Sequence, residues 1–219
     1  MLGAYHRRMG SVTRSDGVAA RERRVEVTER VLSAVEELLE DGERYTEIPV
    51  TRIAERSGMS RTNFYQYFPN KSEVLVHVAE VASAAFFDAP ARWFADDAAL
   101  DRGLPGVERV IREMVSGFRE HWTVMRALGE LAAYDSEVAE FWFGRINGFI
   151  EVAASQVDRW RDQGRVDPAV GSESVAAVTW MVERTVTQHV LHPNADATDE
   201  GIVRALARTI WLTFSQGAH

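Results

Sequence analysis

Apolar residues return every three or four positions through almost the whole chain beyond residue 20, which is the period of an α-helix, and no alternating stretch competes for a β reading. Over residues 21–41, Val31, Val35 and Leu38 with Leu32 and Leu39 form one stripe, and Gly42 closes the predicted helix. Val50, Ile53 and Ala54 then make a short apolar face, with Arg52, Glu55 and Arg56 on the wet side, before Gly58 stops it. A second short helix is predicted over residues 61–68, anchored by Phe64 and Phe68 at i, i+4 and ended by Pro69. The next runs from Lys71 to around Ala89, where Pro90 is expected to interrupt it. Breaks at 103–106, 133–136, 164–171 and 192–199 leave further helices over about 107–121, 123–132, 137–163, 172–191 and 200–216. The pattern predicts an all-α chain of about nine helices. A three-helix helix-turn-helix domain at 21–70 is followed by a larger helical bundle at 71–219. Residues 1–20 show no periodicity and read as a disordered arm. Its Arg7, Arg8 and Arg14 have the reach for a minor groove, but a solubilising tail, or a start at Met9, is the simpler reading.

The two short helices carry the most specific chemistry. Ser60 is suited to cap the second one, because its hydroxyl oxygen accepts from a freed backbone N–H. Arg61, Thr62, Asn63, Gln66 and Tyr67 keep polar atoms away from the Phe64 and Phe68 anchor. Eight residues make a rod of roughly 12 Å, about the width of a B-DNA major groove. Asn70 with Glu73 forms a variant capping box that starts the following helix and sets the Lys71 ammonium beside its N-terminal amides, a combination suited to a phosphate.

The run IAERSGMS followed by FYQYFPNK resembles the TetR-type transcriptional regulators, whose signature is an alanine-containing helix, a Gly-x-Ser turn and an aromatic-rich segment ending in lysine. That resemblance implies phosphate contacts from Tyr65, Tyr67 and Lys71, and base-edge contacts from Arg61, Thr62, Asn63 and Gln66. Ser60 belongs to the same surface. The family usually carries a hydroxyl residue where Pro49 stands, so a cap and phosphate contact is missing there, with Thr51 as the substitute. Thr62 and Asn63 are less usual after the turn, so no operator sequence is carried over.

Charge modifies this picture. The chain has a net charge of −8, but residues 1–75 are electrically neutral and the whole excess of acid lies beyond them. A neutral reader binds DNA through a few positioned contacts and helix ends, with a shallow salt dependence. No cysteine is present, so neither disulfides nor thiolate metal sites are available. No apolar run is long enough to span a bilayer and no signal segment opens the chain, so a cytoplasmic protein without membrane contact is expected.

The larger domain holds all six tryptophans. Trp142, Ile146 and Phe149 share one helix face, Met114 and Phe118 another, and Thr179, Val182 and Thr185 place two hydroxyls in an apolar stripe. Apolar walls with few polar handles describe either a small-molecule pocket or a close-packed core. The segments REHWTVMRALGELAAYDSEVAEFW, WRDQG, MVERT and TIWLTFSQG are similar in order and spacing to the ethionamide-resistance branch of the family, whose domain holds a lipophilic channel. That similarity implies channel positions at Met114, Phe118, Trp142, Ile146, Phe149, Thr179, Val182 and Trp211. It also implies a homodimer through the last two helices, consistent with the stripe of Val175, Val178, Val182 and Val186. Glu183 and Arg184 then read as a structural ion pair or interface contact.

Enzymatic signatures are lacking. There is no nucleophile elbow, phosphate loop or dinucleotide fingerprint. His189 and His192 stand at i, i+3 without a supporting carboxylate, and Pro193 ends their helix. No catalysis, metal or cofactor is expected. The expected function is a homodimeric repressor that binds double-stranded DNA at a palindromic operator and is released by a hydrophobic small-molecule effector. The competing readings are a ligand-independent regulator or activator with a filled core, and a helical lipid or small-molecule carrier without DNA activity.

Overall fold

The computed structural model describes the backbone of residues 9–194 and 196–215, and the side chains of residues 18, 19, 21–194 and 196–215. It divides into two compact units, Met1–Val81 and Ala82–His219. Among the described residues there are ten α-helices, two short 3-10 turns and no strand.

The first unit opens with α1, Met9–Glu40, which begins well before the periodicity indicates. The run Ala19–Arg24 consists mainly of good helix formers and carries the helix N-terminal to the apolar stripe. Residues 1–8, with Arg7 and Arg8, and the Arg14 side chain lie outside the described residues. Gly42, at φ 90°, turns the chain after α1. A 3-10 turn, Tyr45–Glu47, leads into α2, Val50–Arg56. Next come α3, Arg61–Tyr67, and α4, Lys71–Ala82. Val31, Val35, Leu38, Ile53, Phe64, Leu75 and Val78 are all fully buried, so all four helices contribute to one small core.

The second unit comprises α5 (Ala84–Phe94), α6 (Gly103–Glu120), α7 (Trp122–Leu131), α8 (Ser136–Asp162), α9 (Ser172–Leu191) and α10 (Asp199–Phe214). Caps fix several of its ends. The Asp135 carboxylate accepts from the Glu137 and Val138 amides at the start of α8, and the Thr198 hydroxyl accepts from Gly201 at the start of α10. Around α10, Arg119 pairs with Asp199 at 2.6 Å, Arg112 with Glu200 at 3.1 Å, and His189 with Asp199 at 2.7 Å.

Two proline readings are corrected. Pro90 does not end a helix; it lies inside α5, while the expected long helix from Lys71 divides at Ser83 instead. The proline ring removes one i→i−4 hydrogen bond, to the Phe86 carbonyl, but Pro90 is buried with Phe86, Phe87, Ala89 and Trp93, and that burial offsets the loss. The Gly103–Gly106 segment is likewise the first turn of α6. Pro105 fits there because first-turn amides have no intrahelical acceptor to lose.

Helix α5 lies close against α6 where Ala85 faces Gly117, and a side-chain methyl on Gly117 would overlap the Ala85 methyl outright. Helix propensity alone favours alanine over glycine by about 1 kcal/mol. Overpacking a close contact costs about 1–3 kcal/mol, so Gly117→Ala should lower stability despite the better propensity. Thermal unfolding checks this: the Gly117→Ala, Ala85→Gly double variant should recover part of the loss, and a more stable single variant would contradict the close approach.

Candidate nucleic-acid interface and buried cavity

The turn between α2 and α3 is built from backbone chemistry. Gly58 sits at φ 70°, Met59 N–H donates to the Ala54 carbonyl at 2.8 Å, and Gly58 N–H donates to that of Glu55 at 3.1 Å. This paired closure satisfies the last carbonyls of α2 and needs a residue at ease in the left-handed region. Ser60 then caps α3, its hydroxyl oxygen accepting from Asn63 N–H at 3.3 Å. Helix α2 has Pro49 as its N-cap, with no side-chain cap bond, and Thr51 is half-buried in its first turn.

Helix α3 is clamped from below and open above. Phe64 and Phe68 are buried with ring centroids 5.0 Å apart, whereas Arg61, Thr62, Asn63, Tyr65 and Gln66 are exposed and Tyr67 is half-buried. The Arg61 guanidinium lies 5.7 Å from the centre of the Tyr65 ring, a cation–π contact that holds both side chains on one exposed face. Seven residues give this helix a length of roughly 10 Å.

Lys71 is placed differently from its neighbours. Its ammonium donates to the Ile48 carbonyl at 2.6 Å and lies 5.0 Å from the Tyr45 ring centre. The Tyr45 hydroxyl in turn donates to the Lys71 carbonyl at 2.8 Å. Burial pushes the Lys71 ammonium below its ordinary pKa. The side chain expected against a phosphate thus faces inward in this conformation and ties the start of α4 to the loop before α2. The backbone at that helix start is ordered by Asn70, whose side-chain carbonyl accepts from Glu73 N–H at 2.8 Å. Nearby cations are partly engaged: Arg52 pairs with Glu43 at 2.9 Å, Arg56 with Glu37 at 2.8 Å, and Arg24 donates to the His77 ring at 2.8 Å.

The second unit contains an apolar cavity of about 80 Å³ among α5, α6, α8, α9 and α10. Met114, Ile146, Phe149, Thr179 and Val182 of the expected channel positions line it. Phe118 and Trp142 are buried beside the wall instead, their rings packed edge-on against Phe86 and Phe87, and Trp211 is half-buried away from it. Sequence reading missed the wall formed by α5, where Phe86, Phe87, Pro90, Trp93 and Phe94 all face the void. Their spacing of i, i+1, i+4, i+7 and i+8 is a helical stripe running straight through Pro90.

Two polar side chains line the void. Thr179 spends its hydroxyl proton on the Val175 carbonyl at 2.8 Å. Glu183 is buried, and one carboxylate oxygen accepts from the Thr187 hydroxyl at 3.0 Å. Burial raises its pKa, against the smaller opposing effects of Thr187 and the Arg184 charge. Of the two readings of Glu183 and Arg184, an ion pair or an interface contact, the ion pair is not formed, because consecutive helix residues point away from each other and Arg184 faces solvent. Among the described residues no group of three or more His, Asp or Glu side chains is placed to hold a metal ion, and no single helix is long and apolar enough to cross a membrane.

Residues 33–78 match the family model of bacterial regulatory proteins of the tetR family. Residues 107–215 match that of the C-terminal domain of the transcriptional regulator EthR. The HTH-type transcriptional regulator EthR of Mycobacterium tuberculosis is 30% identical over 196 residues, spanning 85% of this chain and 86% of that protein. That of Mycolicibacterium smegmatis is 27% identical over 192 residues, spanning 85% of each. Among solved structures, a TetR transcription regulator from Haloarcula marismortui aligns at a TM-score of 0.66 with 15% identity, covering 88% of this chain and all of that one. The regulator PfmR from Thermus thermophilus aligns at 0.58 with 17% identity, covering 85% and 99%. These two show the shared fold, and the curated relatives show the lineage: the chain belongs to the TetR family of transcriptional regulators and is an EthR-like, non-enzymatic member of it.

Proposed function

We propose that this TetR-family regulator acts in the cytoplasm as a homodimeric repressor, binding a palindromic operator through two copies of α3 and leaving it when a lipophilic molecule occupies the cavity. The observation that carries the DNA half of the reading is the exposed row of Arg61, Thr62, Asn63 and Gln66 on a helix held by fully buried Phe64 and Phe68. A rigid helix with free polar side chains has what base reading requires. Support for pairing comes from apolar surface on α10, where Leu212 is 64% exposed, and from half-exposed Trp211 and Met181. A palindrome needs two readers at fixed spacing.

The effector half is supported by the apolar lining and by chain continuity, since α4 runs into the cavity wall α5 through the single residue Ser83. An effector moves the DNA equilibrium only by its differential affinity for the two reader spacings, typically about 1–3 kcal/mol. The small size of the void favours a second reading, a regulator whose core is filled and which needs no effector. A thermal-shift panel of hydrophobic compounds separates the two, with a flat panel selecting the second.

Operator binding is tested by genomic pull-down followed by gel shifts on the recovered sequences. Asn63→Ala and Gln66→Ala should each cost about 1–3 kcal/mol at particular base pairs, and should relax preference there. Tyr65→Phe should weaken binding to all sequences alike, because it removes a phosphate-directed hydroxyl. Uniform loss in all three variants would defeat the base-reading assignment, and no recovered DNA at all would favour the carrier reading.

A further inference from the structure

The cavity is not uniformly apolar, and its one carboxylate gives it a chemical preference. Glu183 lies on α9 with 8% of its surface exposed and borders a void otherwise walled by aromatic and aliphatic side chains. Its only hydrogen bond among the described residues comes from Thr187, through Oε1. The other oxygen, Oε2, has no such partner, and Arg184, next in sequence, faces solvent. A carboxylate so placed is largely removed from bulk water, with the Thr187 hydroxyl as its one described hydrogen-bond partner, and the folded protein already carries part of that desolvation cost before any ligand arrives.

Three kinds of molecule can enter such a site, and they differ in what they do for Glu183. A neutral hydrocarbon or alcohol fills the void and leaves the carboxylate uncompensated, apart from one hydrogen bond in the alcohol's case. An anion adds like charge in a low-dielectric site. An ammonium group supplies opposite charge and up to three hydrogen-bond donors. It also meets the faces and edges of Phe86, Phe87, Trp93, Phe94, Phe149 and Phe214, which border the same void, and aromatic faces attract a desolvated cation. The ligand's own cost of leaving water is offset because both charges are neutralised together.

Resting on the reading of this void as an effector site, we propose that it takes an amphipathic cation, an apolar body carrying a basic nitrogen, with Glu183 as the group that pairs with that nitrogen. The carboxylate selects the charge, while the apolar walls select the body.

The test uses the full-length protein and matched probes: butylamine, 1-butanol and butyrate, and their hexyl counterparts, titrated at neutral pH by calorimetry with thermal shift alongside. The amine is expected to bind at least about tenfold more tightly than the alcohol of equal chain length, a margin of about 1.4 kcal/mol, and butyrate and hexanoate should bind more weakly than either. Glu183→Gln keeps the shape and an acceptor for Thr187, so alcohol binding should persist and report an intact pocket while the amine preference disappears. Thr187→Val, which leaves the carboxylate in place, should retain the preference for the amine, and serves as the second variant if Glu183→Gln does not fold. Equal binding of amine and alcohol by the wild type, or a preference for the alcohol as a protonated Glu183 would give, overturns the proposal while leaving the pocket reading in place. If no probe of any class binds, both fail together.

Discussion

Replacing Phe64 by alanine is expected to remove about 3–5 kcal/mol of stability and to abolish operator binding without touching any residue on the exposed face of α3. Phe64 is fully buried, its ring centre lies 5.0 Å from that of Phe68 in a tilted contact, and it lies midway along a seven-residue helix. So short a helix has little stability of its own, because nucleation is unfavourable and few intrahelical bonds follow it. Its position therefore depends on this anchor. For a small unit a loss of this size is a large part of the whole and should lower its melting by roughly 15 °C or more. The sequence supplies an internal control, since all six tryptophans lie beyond residue 81. Far-UV circular dichroism should show an early loss of helix, while tryptophan fluorescence reports the second unit and should follow the wild-type transition more closely. Phe64→Leu, which keeps most of the volume, should retain measurable DNA binding. An alanine variant with unchanged melting and unchanged affinity would mean that α3 is positioned by something other than this core.

The same residue shows what the amino-acid pattern makes legible. Phe64 and Phe68 at i, i+4, Gly58 before them and Ser60 as cap define α3 almost completely, because each acts through local geometry that one short window contains. The helices from α7 to α10 were readable for the same reason, with polar or glycine-containing breaks between periodic stripes. What escaped depends on contacts distant in sequence. Lys71 stands at a helix start, where a free ammonium suits a phosphate, yet its nitrogen meets the Ile48 carbonyl, twenty-three positions earlier. The α5 wall was hidden by weighting Pro90 as a stop over the apolar stripe that continues through it. Glu183 beside Arg184 suggested an ion pair in one dimension, whereas the helix turns the first inward and the second out. The existence of a void is a small difference between two large volumes, and no residue type marks it: Met114 and Phe118 have the same local pattern, but only the first borders empty space.

That contrast carries the second large prediction. Phe118→Ala should destabilise the second unit by about 3–5 kcal/mol, because the ring is 1% exposed and packs edge-on against Phe86 at 6.0 Å. Phe86 is itself part of the cavity wall, so the lost ring leaves space directly behind a lining residue, and the void of about 80 Å³ should grow. Residual space costs about 24 cal/mol per Å³, so the penalty depends on how far Phe86 swings back to fill it. A ligand can take the place of that movement. Binding to the folded state alone raises stability by RT ln(1 + [L]/Kd), and 1-hexanol should therefore raise the melting temperature of Phe118→Ala by more than it raises that of the wild type. If Phe118 instead touches the effector directly, as the family resemblance implies, truncation removes contact area and the alcohol should stabilise the variant less. The direction of that one difference decides between a side chain that contacts the ligand and one that supports the wall. Tyr134→Ala provides the baseline, because Tyr134 is 68% exposed and does not line the void, and its loss should leave the hexanol response at the wild-type level.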